Sequence, residues 1–91
     1  MERLEEFRKE IDKIDDVIVE SLAKRRHIVL ELARIKKQNN IAIFDPSREA
    51  RLKEKLKTRA DDLGLDENFV LKLYGLILEN SKKEQENENL R

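Results

Sequence analysis

The sequence predicts an all-α fold: three helices per chain, one of them very long, in a helical homodimer with the long helices paired. Composition is the first reason. Leu, Ile, Glu, Lys, Arg and Ala are abundant, while two Gly, one Pro, three Phe and one Tyr leave few turn signals and little strand chemistry. The second is a seven-residue recurrence of apolar side chains along the first forty residues, the seam of a paired helix. The third is that the chain is punctuated in two places only, at Asn39-Asn40 through Asp45-Pro46 and at Leu63-Gly64-Leu65-Asp66.

The first helix is predicted over about 2–38. Leu4, Ile11, Ile18 and Leu32 form one row of its seam, and Phe7, Ile14, Ile28 and Ile35 form the companion row. Two places in the seam are polar, Arg25 and Ser21. A guanidinium in an apolar seam is expensive without a counter-charge, so Arg25 calls for an anion. At 1.5 Å per residue the helix is about 55 Å long, whereas a compact globule of this length is roughly 30 Å across. The seam continues over the overrun, and a second copy of the chain, related by a two-fold axis, is the simplest cover. Asp45 then reads as an N-cap with Pro46 at the first helical position, which opens a second helix over about 46–62. Gly64 is suited to ending that helix and Asp66 to capping a third, over about 67–87, after which the Lys-, Glu- and Asn-rich tail frays. With no internal repeat, residues 1–91 read as a single domain.

Charge and composition exclude much. Twenty Lys and Arg balance twenty Asp and Glu, and the two signs alternate along the chain, so no basic field is offered to nucleic acid. Charged residues make up 44% of the chain and no apolar run exceeds four residues, which argues against a membrane span. With no Cys and one His, disulfides, thiolate nucleophiles and zinc clusters are excluded, and neither metal nor cofactor is expected. The first twenty residues are too charged for a secretory signal, which implies a cytoplasmic address.

The candidate site residues lie where each helix runs an apolar face into a polar end. Arg25 and Lys36 are eleven residues apart, about three turns, and so face the same way within about 20°. Arg8 shares a heptad row with Lys36 but lies about 25 Å along the axis from Arg25, too far for both to hold one small ligand. If both serve one ligand, Arg8 comes from the partner chain. On the second helix the stripe Leu52, Leu56, Ala60 and Leu63 extends back to Arg48 and Glu49; on the third, Leu73 and Ile77 continue to Ser81 and Gln85. Together these residues describe a pocket for a small dianion that also carries a hydroxyl.

These residues resemble the AroQ-class, all-helical chorismate mutases. The likeness runs from Leu4 to Gln85 and is carried by Leu4-Glu5-Glu6-Phe7-Arg8 with Ile11, Ile14 and Asp15; Leu22-Ala23-Lys24-Arg25-Arg26; Ile35-Lys36; Asp45-Pro46-Ser47-Arg48-Glu49; and Leu76-Ile77-Leu78-Glu79-Asn80-Ser81 with Gln85. The resemblance implies an intertwined dimer with two sites, each borrowing one arginine, and conversion of chorismate to prephenate in the biosynthesis of Phe and Tyr. By match of position, Arg8 of the partner and Arg25 grip the two carboxylates with help from Ser81. Lys36 and Gln85 donate to the ether oxygen, and Lys36 also touches a carboxylate. Glu49 and the Asp45 backbone take the ring hydroxyl, Arg48 stands at the wall, and Leu4 and Leu32 supply apolar wall. Family members carry Gln or Glu at the ether-oxygen position, and Gln85 aligns this chain with the pH-tolerant kind. The sequence stops soon after the third helix, so a fused dehydratase, dehydrogenase or regulatory domain is not expected. Two other readings remain open at this point: an isochorismate-pyruvate lyase on the same fold, and a non-catalytic helical dimerisation module.

Overall fold

The computed structural model describes residues 2–90; Met1 and Arg91, the ends of the single domain expected over 1–91, lie outside the described residues. Among the described residues there are three helices and no strand: α1 (Glu2–Gln38), α2 (Pro46–Asp62) and α3 (Glu67–Asn89).

Local chemistry sets the helix ends. After α1 the backbone turns at Asn40, which takes a left-handed φ of 55°, and Ile41 N donates to Lys36 O at 2.8 Å. The end of α2 repeats this closure with Gly64 at φ 71° and Leu65 N donating to Ala60 O at 2.8 Å. In both, a residue free to adopt positive φ lets the chain fold back onto the last carbonyls of the helix. The Asp45 side chain accepts from Arg48 N at 3.1 Å to open α2, with Pro46 in its first turn, and the Asp66 side chain accepts from Asn68 N at 2.9 Å to open α3. The last turn of α3 passes beyond residue 87 because α1 supports it: Arg34 pairs with Glu88 at 3.0 Å, and Lys37 donates to Asn89 O at 2.8 Å.

The central element is α3, which packs against α1 on one side and α2 on the other. It faces α1 from Arg25–Ser81 to Lys37–Asn89, so the two helices run in the same direction over the second half of α1. Its packed stripe is Val70, Leu71, Tyr74, Ile77 and Leu78. Leu73, which the sequence suggested for that stripe, is exposed, while Tyr74 beside it is half-buried.

The single chain encloses little. Among the described residues only Ala33 and Ala60 are buried apolar side chains, and every residue from 2 to 24 is exposed. The longest extent of the molecule is 57 Å, the length of α1 itself. Its radius of gyration is 16.7 Å, against about 12 Å for a compact chain of this size. No helix among the described residues is long and apolar enough to cross a membrane.

Candidate active site

A cavity of about 300 Å³ opens where the second half of α1, the segment joining α1 to α2, the first turn of α2 and the last part of α3 meet. From α1 it takes Arg25, Leu32 and Lys36. The cap of α2 brings Asp45, Arg48 and Glu49, and α3 brings Ser81 and Gln85. Helical spacing explains each group: Arg25, Leu32 and Lys36 share one face of α1, and Ser81 and Gln85 lie four residues apart on α3.

The polar groups order one another. Arg25 donates to the Ser81 hydroxyl, and Ser81 Oγ in turn donates to Ile77 O at 2.9 Å, one turn earlier on α3. Arg25 thus reaches α3, but a neutral hydroxyl supplies no counter-charge, so the guanidinium still calls for an anion. Lys36 Nζ donates to Ile43 O at 2.9 Å and to Gln85 Oε1 at 3.4 Å. Gln85 is the buried polar side chain of the site, 8% exposed. Its carbonyl oxygen accepts from Lys36, so what this side chain can offer a ligand is its amide N–H donors. Arg48 is exposed and Glu49 half-buried at the wall.

The cavity carries four cations, Arg25, Lys36, Arg48 and Lys82, against the carboxylates of Asp45 and Glu49. The Asp45 carboxylate is occupied in capping α2, and the positive end of α2 also faces this region. The result is a positive pocket with apolar walls, suited to an anion with a rigid carbon frame. Among the described residues, no cluster of three or more His, Cys, Asp or Glu is placed to hold a metal ion.

Two predicted residues lie elsewhere. Arg8 and Leu4 stand on the exposed first half of α1, outside the cavity, with Arg8 paired to Glu5 at 3.0 Å. Other lining residues escaped the sequence reading, chiefly Ile43, Phe44 and Lys82. A signal for Lys82 was present: Leu78, Lys82 and Gln85 follow a four-then-three spacing that puts all three on one face of α3. Ile43 and Phe44 lie in an irregular segment, where periodicity predicts no facing direction.

Residues 7–86 match the family described as chorismate mutase type II. The chain belongs to that family. Over 82 residues it is 34% identical to the chorismate mutase of Methanocaldococcus jannaschii, covering 90% of this chain and 83% of that protein. It is 44% identical over 75 residues to the bifunctional chorismate mutase/prephenate dehydratase of Buchnera aphidicola subsp. Schizaphis graminum, of which it spans only a fifth (20%) of the length. A 4-amino-4-deoxychorismate mutase of Streptomyces venezuelae is 29% identical over 75 residues, or 73% of that protein. As a member of the chorismate mutase type II family, the chain is an isomerase.

Proposed function

We propose that this chain converts chorismate to prephenate, on the route to Phe and Tyr, as an intertwined cytoplasmic homodimer with two sites. The observation that carries this reading is the convergence of Arg25, Lys36 and Arg48 with Glu49, Ser81 and Gln85 on one cavity in a chain of this family. The reaction breaks the enolpyruvyl ether bond as a carbon–carbon bond forms within the same molecule. It moves no proton and adds no nucleophile. What it needs is a compact conformer and stabilisation of the charge that grows on the ether oxygen.

The side chains divide these tasks. Arg25, steadied by Ser81, grips one carboxylate; Arg8 of the partner subunit grips the other. Lys36 has three N–H donors. Ile43 O and Gln85 Oε1 take two of them, which leaves one for the substrate, where it meets the ether oxygen within reach of a carboxylate. The amide of Gln85 is the second donor to that oxygen. Glu49 and the Asp45 backbone receive the ring hydroxyl, Arg48 lines the approach, and Leu32 with the partner's Leu4 closes the apolar wall. The exposed seam from Leu4 to Leu22 supports the dimer, as does an apolar groove between α1 and α3 lined by Val19, Leu22, Val29, Leu76 and Ile77. Family membership favours the mutase over both the lyase and a non-catalytic module.

The test is the loss of chorismate followed by ultraviolet absorbance with product analysis, with Lys36→Ala as control. Prephenate is the expected product. Removing a donor aimed at charge that develops only in the transition state is expected to cost about a hundred- to a thousandfold in kcat, more than any change in KM. Wild-type protein that leaves chorismate unchanged, or that releases pyruvate from isochorismate instead, overturns the reading. Lys36→Ala within about tenfold of wild type removes Lys36 from the ether oxygen.

A further inference from the structure

Lys82 is the cation of the cavity to which the roles above assign nothing. It follows Ser81 on α3, lines the cavity, and holds its ammonium 4.6 Å from the centroid of the Phe44 ring. This contact spans the mouth, because Phe44 belongs to the segment between α1 and α2 and lies next to the Asp45 cap. Both side chains are exposed. From inside, the same segment is tied by Lys36, whose Nζ donates to Ile43 O at 2.9 Å. Two lysines from different helices thus grip adjacent residues of one short segment.

The two grips differ in kind. The inner one is a hydrogen bond to a carbonyl. The outer one rests an ammonium on a neutral ring, and at an exposed ring that attraction is weaker than a charge-assisted hydrogen bond to a carboxylate. Lysine carries its charge on a flexible four-carbon stem, so the ammonium can leave the ring without any movement of α3. The helix is fixed nearby by other contacts, which Arg25 makes to Ser81 and Lys36 to Gln85. A dicarboxylate entering this mouth offers Lys82 a better partner than Phe44.

We propose that Lys82 is a further substrate-binding residue, resting on Phe44 while the cavity is empty and transferring to a carboxylate of the incoming dianion. The inference rests on the reading of the cavity as a site for chorismate. In the rearrangement the carboxylates keep their charge, and in the proposed site the two arginines already hold the compact conformer, so an added, flexible contact to one carboxylate binds ground state and transition state alike. Lys82 therefore acts on KM, unlike Lys36, whose target gains charge. At an exposed mouth its attraction is also screened by salt. A clamp that merely fastened Phe44 would depend on the ring as much as on the ammonium and would add no long-range attraction for the dianion.

Steady-state kinetics at low and high ionic strength on Lys82→Met, Lys82→Arg and Phe44→Leu separate the two. Lys82→Met keeps length and helix propensity while removing the charge. It should raise KM on the order of fivefold, the scale of one partly exposed ion pair, with a smaller change in kcat. It should also flatten the decline of kcat/KM with added salt. Lys82→Arg should recover most of the loss in KM. Phe44→Leu removes the ring face but keeps the ammonium, and should keep the wild-type salt dependence. An active wild type whose KM and salt dependence are unchanged in Lys82→Met overturns the role of Lys82 and leaves the mutase reading standing. Equal losses in Lys82→Met and Phe44→Leu, both with wild-type salt dependence, overturn it in favour of a clamp. Wild-type protein inactive on chorismate overturns the mutase reading itself.

Discussion

Gln85 is where a single side chain decides most. It is buried, and its carbonyl oxygen faces Lys36, so in the proposed site its amide is the donor toward the substrate, at any ordinary pH. The wild-type rate should therefore have no acid limb from this residue. Gln85→Glu keeps the size but donates only when protonated, and an ordinary Glu ionises near pH 4.3. Burial raises that value while Lys36 and the arginines lower it. In either case an ionised carboxylate there repels the growing charge, so Gln85→Glu should be much slower than wild type at about pH 8 and recover steadily as pH falls. A pH–rate profile parallel to that of wild type would remove Gln85 from the ether oxygen. Residues of this kind were legible from sequence where a helix carried them: Gln85 and Ser81 continue the Ile77 row, and Arg25 stood out as a charge in a seam. Lys82 was less legible because its partner, Phe44, is set by the course of an irregular segment rather than by any period.

Helix ends were legible wherever a local motif sets them. Asp45-Pro46, Gly64 and Asp66 each do in the structure what their chemistry implies. The end of α3 was not, since Arg34 and Lys37 on α1 hold its last turn and no local signal encodes a contact between residues more than fifty positions apart. The junction of α2 and α3 offers a test of its own. A hydrogen bond with Asp61, and then the charge on Asp61, raise the Glu67 carboxyl above its ordinary value. A raised folded-state value means that the folded chain binds this proton more tightly than the unfolded chain. The associated stability is fully present below the ordinary Glu range and is lost as pH rises through the raised value. Glu67→Gln keeps a hydrogen-bonding side chain and does not titrate. Its melting temperature relative to wild type should therefore rise between about pH 4 and about pH 7. Glu67 also lies in the first turn of α3, where a negative charge is favourable. A relative melting temperature that falls over the same range would mean that the helix terminus outweighs Asp61.

At the scale of the molecule, length was the most informative quantity in the sequence. A helix of about 55 Å cannot be covered by the rest of a chain this short. In the structure the first half of α1 extends with Leu4, Phe7, Ile11, Ile14 and Ile18 all exposed. A row of this size is rarely left to water, and the same overrun keeps Arg8 away from its own chain's Arg25. If the exposed halves of α1 pair across a two-fold axis, Arg8 completes the partner's cavity, and this has a consequence that no intrachain site shares. Arg8→Ala and Arg25→Ala should each be nearly inactive, because every site in either homodimer lacks one arginine. In a mixed dimer the losses separate: one site combines an intact Arg25 with an intact Arg8 of the partner subunit, and the other site lacks both. A statistical mixture in which half of the dimers are mixed should thus regain about a quarter of wild-type activity, while the separate variants remain inactive. Subunit exchange can be verified with differently tagged chains, and activity should rise as exchange proceeds. If Arg8 instead served its own chain, each site in the mixture would still lack one of the two residues. An inactive mixture after verified exchange would therefore withdraw the cross-chain arginine.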